Sequence, residues 1–204
     1  TIRSSRHRFA ARLNSGVRCL MTLSLVLPSC EYEQSYRGYI AELGDEERYP
    51  FQLDLEYVDF DALLKRLSNF SQGIDIPPGY VATSTYWLVD GPELIGVASL
   101  RHTLNDRIKE CGGHIGLGIR PSRRGRKLGT SLLSLTLDKA RGLGIGEVHI
   151  HCHKSNEASG RMIVRNGGVL HSEIEVGDPA VIVQRYVVQA PNSSFKPKPL
   201  RGSA

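Results

Sequence analysis

The feature that most constrains this chain is a run of basic residues and glycines at the predicted start of a helix. Positions 113–130 read GHIGLGIRPSRRGRKLGT, and apolar residues continue at helical spacing from Leu128 to Arg141. A helix N-terminus carries a partial positive charge and unpaired N–H groups, so clustered cations there are unfavourable unless an anion joins them. A phosphate or pyrophosphate supplies that anion, and glycines let the backbone approach it. The alternative is a solvated basic loop.

The spacing of these glycines argues against two common nucleotide sites. Neither the GxxxxGK[ST] pattern of a P-loop nor the GxGxxG pattern of a dinucleotide-binding turn occurs in the run. We therefore expect an anion-binding site in a protein that is neither a nucleotide hydrolase nor a nicotinamide dehydrogenase.

Composition indicates an ordinary globular chain. Of the 204 residues, 40% are hydrophobic and 23% charged, and no apolar run reaches the roughly 18 residues of a membrane span. We therefore expect no membrane partner. Without a CxxC pair, the cysteines favour a reducing, cytoplasmic setting over a disulfide scaffold or a zinc ribbon. They are Cys19, Cys30, Cys111 and Cys152.

Charge is strongly segregated along the chain. From Glu31 to Asp61, ten acids are opposed by two arginines, whereas from Arg101 to Arg165 thirteen basic residues are opposed by five acids. The two segments are either solvated faces or sites for ligands of opposite sign. The basic segment contains no Phe, Tyr or Trp to stack on bases, so we expect no nucleic-acid partner.

Hydrophobic periodicity predicts one mixed α/β domain over residues 21–190. We expect residues 1–20 to be a leader, with a lipoprotein-like signal as the alternative, and residues 191–204 to be a disordered tail. The predicted elements are a strand at 23–27, helices at 31–43 and 59–70, strands at 83–89, 94–100 and 114–119, a helix at 128–141, a strand at 148–153, a helix at 156–165, and strands at 169–176 and 180–188.

The basic run resembles the acyl-CoA loop of the GNAT N-acetyltransferase superfamily, whose pattern is [Q/R]-x-x-G-x-[G/A]. Arg124 and Gly129 match the first and last positions, whereas Lys127 replaces the inner glycine. The family's next features are a strand and an Asn-x-x-[Ala/Ser] helix, which residues 148–159 match. The resemblance covers about residues 21–190 and implies a GNAT-like mixed sheet of six to seven strands flanked by helices. Within the superfamily the chain looks like a poorly characterised branch of predicted acetyltransferases.

The resemblance implies acetyl-CoA as cofactor, bound between splayed central strands. The backbone near Ile119 would pair with the pantetheine, the loop would hold the pyrophosphate, and the Asn-x-x-Ser helix would line the pantetheine arm. The implied cofactor residues are Ile119, Arg124, Gly125, Arg126, Lys127, Leu128, Gly129, Thr130, Asn156 and Ser159.

Direct attack of an amine on the thioester needs a base for the ammonium group and an acid for the thiolate. His114 is the first candidate base and His102 the second, since histidine titrates near neutral pH. The family's usual acid is a tyrosine seven residues after the helix asparagine, where this chain has Ile163. Tyr186 or solvent is then left as proton donor.

Three alternating histidines, His149, His151 and His153, share one face of a strand. They lack acidic or cysteine partners at fixed spacing, so we expect no metal.

The resemblance places the acidic segment on the acceptor side, which favours a small cationic amine such as a polyamine or an aminoglycoside antibiotic. An alternative is a protein acetyltransferase for lysine or N-terminal amines, and another is an inactive domain that senses acyl-CoA. Exposed strands after Val176 allow a homodimer. The candidate acceptor residues are Glu31, Glu33, Tyr80, Tyr86 and Trp87.

Overall fold

The computed structural model describes residues 22–189, so the predictions for 1–20 and 191–204 lie outside the described residues. Each predicted helix and strand is present, with ends that differ by a few residues. The elements are β1 (Leu23–Val26), α1 (Glu33–Leu43), α2 (Phe60–Gln72), β2 (Thr83–Asp90), β3 (Glu93–Arg101), α3 (Asp106–Glu110), β4 (Ile115–Ile119), α4 (Leu128–Gly142), β5 (Glu147–His153), α5 (Glu157–Arg165), β6 (Val169–Val176) and β7 (Val181–Gln189).

Helix α3 was not predicted, because five residues are too few for a periodic pattern. The Asn105 carboxamide caps it by accepting a hydrogen bond of 2.9 Å from the amide of Ile108, which is its one buried residue. The capping Asn105, followed by the acidic Asp106 in the first turn, was the sequence signal for this turn.

Helices α1 and α2 cover one face of the first sheet. The buried residues of α1 recur at intervals of three or four, as an amphipathic helix requires. Trp87 of β2 has no exposed surface and packs beneath both helices, with its ring 5.5 Å from that of Tyr36. On α1 the buried side chains are Tyr36, Tyr39, Ile40 and Leu43, and on α2 they are Phe60, Leu63, Leu67 and Phe70.

The strands form two antiparallel sheets, in the orders β1-β2-β3-β4 and β5-β7-β6. A single bridge between Gly113 and Ile150 joins them, and the amide of His114 donates to the carbonyl of His149 at 2.7 Å. Among residues 22–189, β4 and β5 make no further ladder beyond this joint. The predicted α/β class and strand number are therefore confirmed, with the strands divided four and three.

Helix α4 packs on the face of the first sheet opposite α1 and α2. Leu128 and Leu132 of this helix are buried against Ile95 and Ala98 of β3. Both sheet faces are therefore covered near β3, and the space left beside β4 is where the two sheets part. No helix within residues 22–189 has the length and apolar character needed to cross a membrane.

Candidate active site

A cleft of about 680 Å³ lies where β4 ends and α4 begins, with the first turns of α5 on its far side. Its walls come from four parts of the chain: α1 with the loop after it, β4, the basic loop with α4, and α5. The lining residues are Tyr39, Leu43, Glu47, Tyr49, Leu117, Gly118, Ile119, Arg123, Arg124, Gly125, Lys127, Leu128, Gly129, Thr130, Asn156, Ala158, Ser159, Arg161, Met162 and Arg165.

The N-terminus of α4 opens into this cleft. Lys127 is its N-cap residue, and because a lysine side chain cannot accept a hydrogen bond, no side chain caps the first-turn amides. Lys127 also has a φ of +61°, in the left-handed region that favours glycine. The backbone therefore keeps the geometry of the glycine in the family pattern, although the residue is lysine.

The arginines before α4 are partly neutralised by acids of the chain itself. Arg120 pairs with Glu42, Arg123 with Glu93, and Arg124 with Glu46. The hydrogen bond from Arg120 lowers the pKa of Glu42 to about 2. Part of the acidic segment thus faces the basic loop, which the sequence did not indicate. Lys127 has no such partner among the salt bridges of residues 22–189.

Helix α5 forms the opposite wall and packs closely on α4. Its N-cap, Asn156, accepts a hydrogen bond of 3.1 Å from the amide of Ser159. A Cβ added to Gly129 would lie 3.0 Å from the sulfur of Met162, so the glycine allows the two helices to approach. Ile163 is 1% exposed and lies in the core. Met162, not Ile163, lines the cleft.

The cleft brings together all the predicted cofactor residues except one. Arg126 is exposed and does not line it, whereas Ile119 and the N-termini of α4 and α5 do. The described residues fit a long ligand with an anionic end: uncapped amides, Arg124 and Lys127 for phosphates, and the free backbone of β4 for an extended arm.

The two candidate bases lie outside the cleft lining. His114 is 7% exposed and its Nδ1 accepts a hydrogen bond of 3.0 Å from the amide of His149. Burial lowers the pKa of His114 to about 4, so the imidazole is neutral and weakly basic at pH 7. His102 contacts the hydroxyl of Ser84 at 2.8 Å, and burial lowers its pKa as well.

The candidate acid Tyr186 is also absent from the cleft lining. It is 6% exposed, and its hydroxyl donates to Gln184 at 2.8 Å. Its proton is therefore engaged in the second sheet.

The strand histidines are held by neighbours in the sheet. His149 contacts Glu147 at 2.9 Å, and Nδ1 of His151 accepts from the amide of Gly112 at 3.0 Å. Burial lowers the pKa of His151 to about 4. Within residues 22–189, no three His, Cys, Asp or Glu side chains are arranged to hold a metal ion.

Two of the aromatic acceptor candidates lie in the core, which is a correction to their expected position. Trp87 is fully buried under α1 and α2, and Tyr86 is 8% exposed among the residues packed between α4 and the sheets. Strand β2 is buried on both faces, so alternate residues cannot reach solvent.

The other acceptor candidates are at the surface but away from the cleft lining. Tyr80 is 47% exposed and its ring contacts that of Phe51 at 5.1 Å. Glu33 pairs with Arg37 on the first turn of α1, and Glu31 is exposed in the turn before it.

Two tyrosines that the sequence did not indicate lie against β4. A Cβ added to Gly116 would be 2.6 Å from the hydroxyl of Tyr49, and one added to Gly118 would be 2.3 Å from the carbonyl oxygen of Tyr49 and 3.2 Å from the hydroxyl of Tyr39. The Tyr39 hydroxyl is buried without a hydrogen-bond partner. Glycines at alternate positions of a strand leave one of its faces without side chains. This alternation was the available sequence signal for a close neighbour on that face of β4.

The fold leaves a cleft between two parted sheets whose lining suits a long ligand with an anionic end. The comparisons identify the family. The model of the acetyltransferase (GNAT) family matches residues 39–167, more than half of the chain, so the chain belongs to the GNAT acetyltransferases. It is therefore an acyltransferase whose donor is acetyl-CoA. No curated protein matches the sequence significantly.

Several solved acetyltransferase structures share the fold at low identity. A putative acetyltransferase, yncA of Salmonella typhimurium with acetyl-CoA, is 16% identical with a TM-score of 0.59, over 84% of this chain and 96% of its own. RimL, a ribosomal-protein α-N-acetyltransferase with coenzyme A, is 17% identical with a TM-score of 0.61, over 82% and 93%. A chimera of the spermidine N-acetyltransferase SpeG of Vibrio cholerae and hSSAT is 16% identical with a TM-score of 0.57, over 82% and 95%.

Proposed function

We propose that this enzyme transfers the acetyl group of acetyl-CoA to a primary amine of a small polycationic acceptor, of polyamine or aminoglycoside type, by direct attack in a ternary complex. The supporting observation is a second, shallow depression of about 440 Å³ beside the cleft. It contains four acidic residues and shares Glu47 and Tyr49 with the cleft. Its lining is Gly44, Asp45, Glu46, Glu47, Arg48, Tyr49, Phe51 and Asp54.

The charge of this depression suits an acceptor with several amines. Glu46 is neutralised by Arg124, but Asp45, Glu47 and Asp54 have no salt-bridge partner among the described residues. Arg48 also lines the depression and offsets one of these three charges, so the unpaired groups of the depression carry a net charge of −2, which still attracts a polycation. Aromatic rings at its edge add contacts to the methylene segments and ammonium groups of such an acceptor.

The carboxylate of Glu47 is the proposed base, since Glu47 lines both the cleft and the depression. The attacking amine must lose a proton to become nucleophilic, and a carboxylate at the junction accepts it directly or through one water. On this proposal His114 supports the joint between the sheets instead of removing the proton.

A thiol-release assay with acetyl-CoA tests the acceptor class. The panel comprises spermidine, an aminoglycoside, a lysine-rich peptide and a peptide with a free N-terminus. We expect turnover with spermidine or the aminoglycoside and a KM that rises with salt, because surface charges are screened. Turnover confined to a peptide would identify a protein acetyltransferase, and coenzyme A binding without any turnover would favour a sensor domain.

A matched pair of variants tests the depression itself. Asp54→Asn should raise the KM for the preferred amine about two- to fivefold, the effect of one exposed charge. Asp61→Asn removes the same charge from the same acidic segment, on α2 and outside the depression, and should leave this KM unchanged. Equal effects of the two variants would assign the attraction to overall charge and remove the depression from the proposal.

A further inference from the structure

The cleft contains few groups able to give up a proton at neutral pH. Among its lining residues, hydroxyl groups are carried by Tyr39, Tyr49, Thr130 and Ser159. Phenols are far stronger acids than aliphatic hydroxyls, with an ordinary pKa near 10. The two tyrosines against β4 are therefore the hydroxyls suited to act as a general acid.

Their positions along β4 differ with respect to the two ends of the donor. The phosphate-binding loop follows the C-terminal end of β4, so an extended arm that pairs with the strand runs back from Ile119 toward Ile115. The hydroxyl of Tyr39 lies over Gly118, near the phosphate end, whereas that of Tyr49 lies over Gly116, two residues farther. The cleft lining on β4 ends at Leu117, and Tyr49 lines the cleft at that end, so a donor bound in this direction would have its sulfur beside Tyr49.

The surroundings of the Tyr49 hydroxyl suit proton donation. Although 44% of Tyr49 is exposed, its hydroxyl end packs on Gly116, and desolvation there raises its pKa, whereas the neighbouring guanidinium of Arg101 lowers it. Arg101 is held in place, because its Nη1 donates to the carbonyl of Gly113 at 2.8 Å. A fixed cation beside the phenol stabilises the tyrosinate that remains after proton transfer.

We propose that Tyr49 is the general acid of the reaction and protonates the departing sulfur. Ile163, which occupies the position of the family's usual tyrosine, has no proton to donate. This inference rests on the proposed acetyl transfer. The amine nitrogen bonds to the carbonyl carbon, the C–S bond breaks with its electron pair going to sulfur, and the Oη proton of Tyr49 passes to that sulfur. Glu47 takes the first proton from the ammonium group and passes it to solvent. The nitrogen loses a second proton after it bonds to carbon, and that proton returns to the tyrosinate through solvent, so one proton is released for each acetyl group transferred.

The kinetic test compares Tyr49→Phe with Tyr57→Phe, using acetyl-CoA and spermidine. Tyr57 is a matched control, because its ring packs against Tyr36 outside the cleft lining. Tyr49→Phe should lower kcat about 100-fold, the usual contribution of a general acid, with little change in the KM for acetyl-CoA. Tyr57→Phe should leave both unchanged. A kcat for Tyr49→Phe within threefold of wild type would overturn the assignment.

A binding measurement tests the same hydroxyl without an acceptor. A hydrogen bond from Tyr49 stabilises the thiolate of bound coenzyme A, so its thiol should ionise at a lower pH on the wild-type protein than on Tyr49→Phe, by about one pH unit. Ultraviolet absorbance of the thiolate during a pH titration of the complex reports this. Equal ionisation on both proteins would place the hydroxyl away from sulfur and overturn the proposal.

Gly116→Ala supplies a second variant that keeps the phenol. The new methyl group would lie 2.6 Å from the hydroxyl, so it must displace the end of the side chain while Arg101 stays in place. We expect a loss of kcat and of thiolate stabilisation similar to that of Tyr49→Phe, and unchanged activity here would count against Tyr49. If no acceptor is acetylated but the coenzyme A thiol still ionises at a lower pH on the wild-type protein than on Tyr49→Phe, the proposed substrate class is contradicted. The assignment of Tyr49 to the sulfur would then still stand.

Discussion

Replacing Lys127 by glycine should make the protein more stable and its coenzyme A complex weaker. The residue has a φ of +61°, a conformation that costs a residue with a Cβ about 1–2 kcal/mol. Glycine removes that cost, but its greater freedom in the unfolded chain lowers the free energy of unfolding by about 0.4–1 kcal/mol. Loss of a cation from the N-terminus of α4 contributes a few tenths of a kcal/mol more. The net gain is about 1 kcal/mol, or a rise in Tm of about 2–4 °C for a chain of this size.

The same substitution removes a charge from the cleft lining, where we expect the phosphates of coenzyme A to bind. Lys127 is exposed, lines the cleft and is placed beside the uncapped amides of α4. One exposed charge contact to a phosphate is worth about 0.2–1 kcal/mol, so the Kd for coenzyme A should increase up to about fivefold. The two effects have opposite signs, which a general disturbance of the loop would not produce.

Differential scanning calorimetry and isothermal titration of coenzyme A on three proteins separate these effects. Lys127→Ala removes the charge but keeps a Cβ at the strained position, so it should match Lys127→Gly in affinity without its gain in Tm. Equal Tm values for the alanine and glycine variants would refute the strain argument. Wild-type affinity in both variants would show that the lysine does not contact the phosphates.

Three further predictions concern the joint, the basic loop and acid stability. Gly113→Ala places a Cβ 2.6 Å from a carbonyl oxygen of β5 at a φ of +67°, and should lower the free energy of unfolding by about 2 kcal/mol or more in urea titrations. Glu46→Gln frees Arg124 from a half-exposed ion pair, and should tighten coenzyme A binding about two- to fivefold by calorimetry at low salt. Burial lowers the pKa of His114 and His151 to about 4. The free energy of unfolding should therefore decrease as the pH falls from about 6.5 through 4, by up to about 1.4 kcal/mol per pH unit for each histidine.

Each of these has a result that contradicts it. A Gly113→Ala protein as stable as wild type would mean that the bridge between the sheets tolerates a side chain. Unchanged or weaker binding by Glu46→Gln would show that its carboxylate does not compete with the ligand. For the histidines, unfolding is measured across the pH range with His114→Asn as comparison, because the asparagine oxygen keeps the acceptor and does not titrate. Identical pH profiles would exclude His114 as a source of the acid sensitivity.

The parts of the site that the sequence predicted are those encoded by local signals. The basic loop, the apolar spacing of α4 and the Asn156 cap each depend on residues a few positions apart, and the structure places them around one cleft. The grouping of these residues around one cleft could therefore be predicted from the sequence pattern.

The acceptor side was not accessible, because it depends on contacts between distant parts of the chain. Trp87 and Tyr86 were expected at a groove, yet β2 is buried on both faces. For such a strand, the alternation of residues does not predict which side chains face solvent. Tyr49 meets Gly116 across 67 positions, and no periodicity links a loop residue to a strand that far away. The ion pairs of the basic loop are likewise long-range, which is why the whole acidic segment, including Glu42 and Glu46, was expected on the acceptor side.

The bare face of β4 has a consequence for how this sequence can diverge. The backbone of Tyr49 occupies the space where a side chain at Gly118 would begin, and its hydroxyl occupies that at Gly116. A side chain at Gly118 therefore requires the backbone of the loop at 49 to move, whereas one at Gly116 requires only the end of the Tyr49 side chain to move. Related chains should divide into two groups, one with glycines at both strand positions and an aromatic residue in the loop, the other with side chains on the strand and a displaced loop. In a related sequence, glycines at both strand positions would then predict an aromatic loop residue packed over the strand.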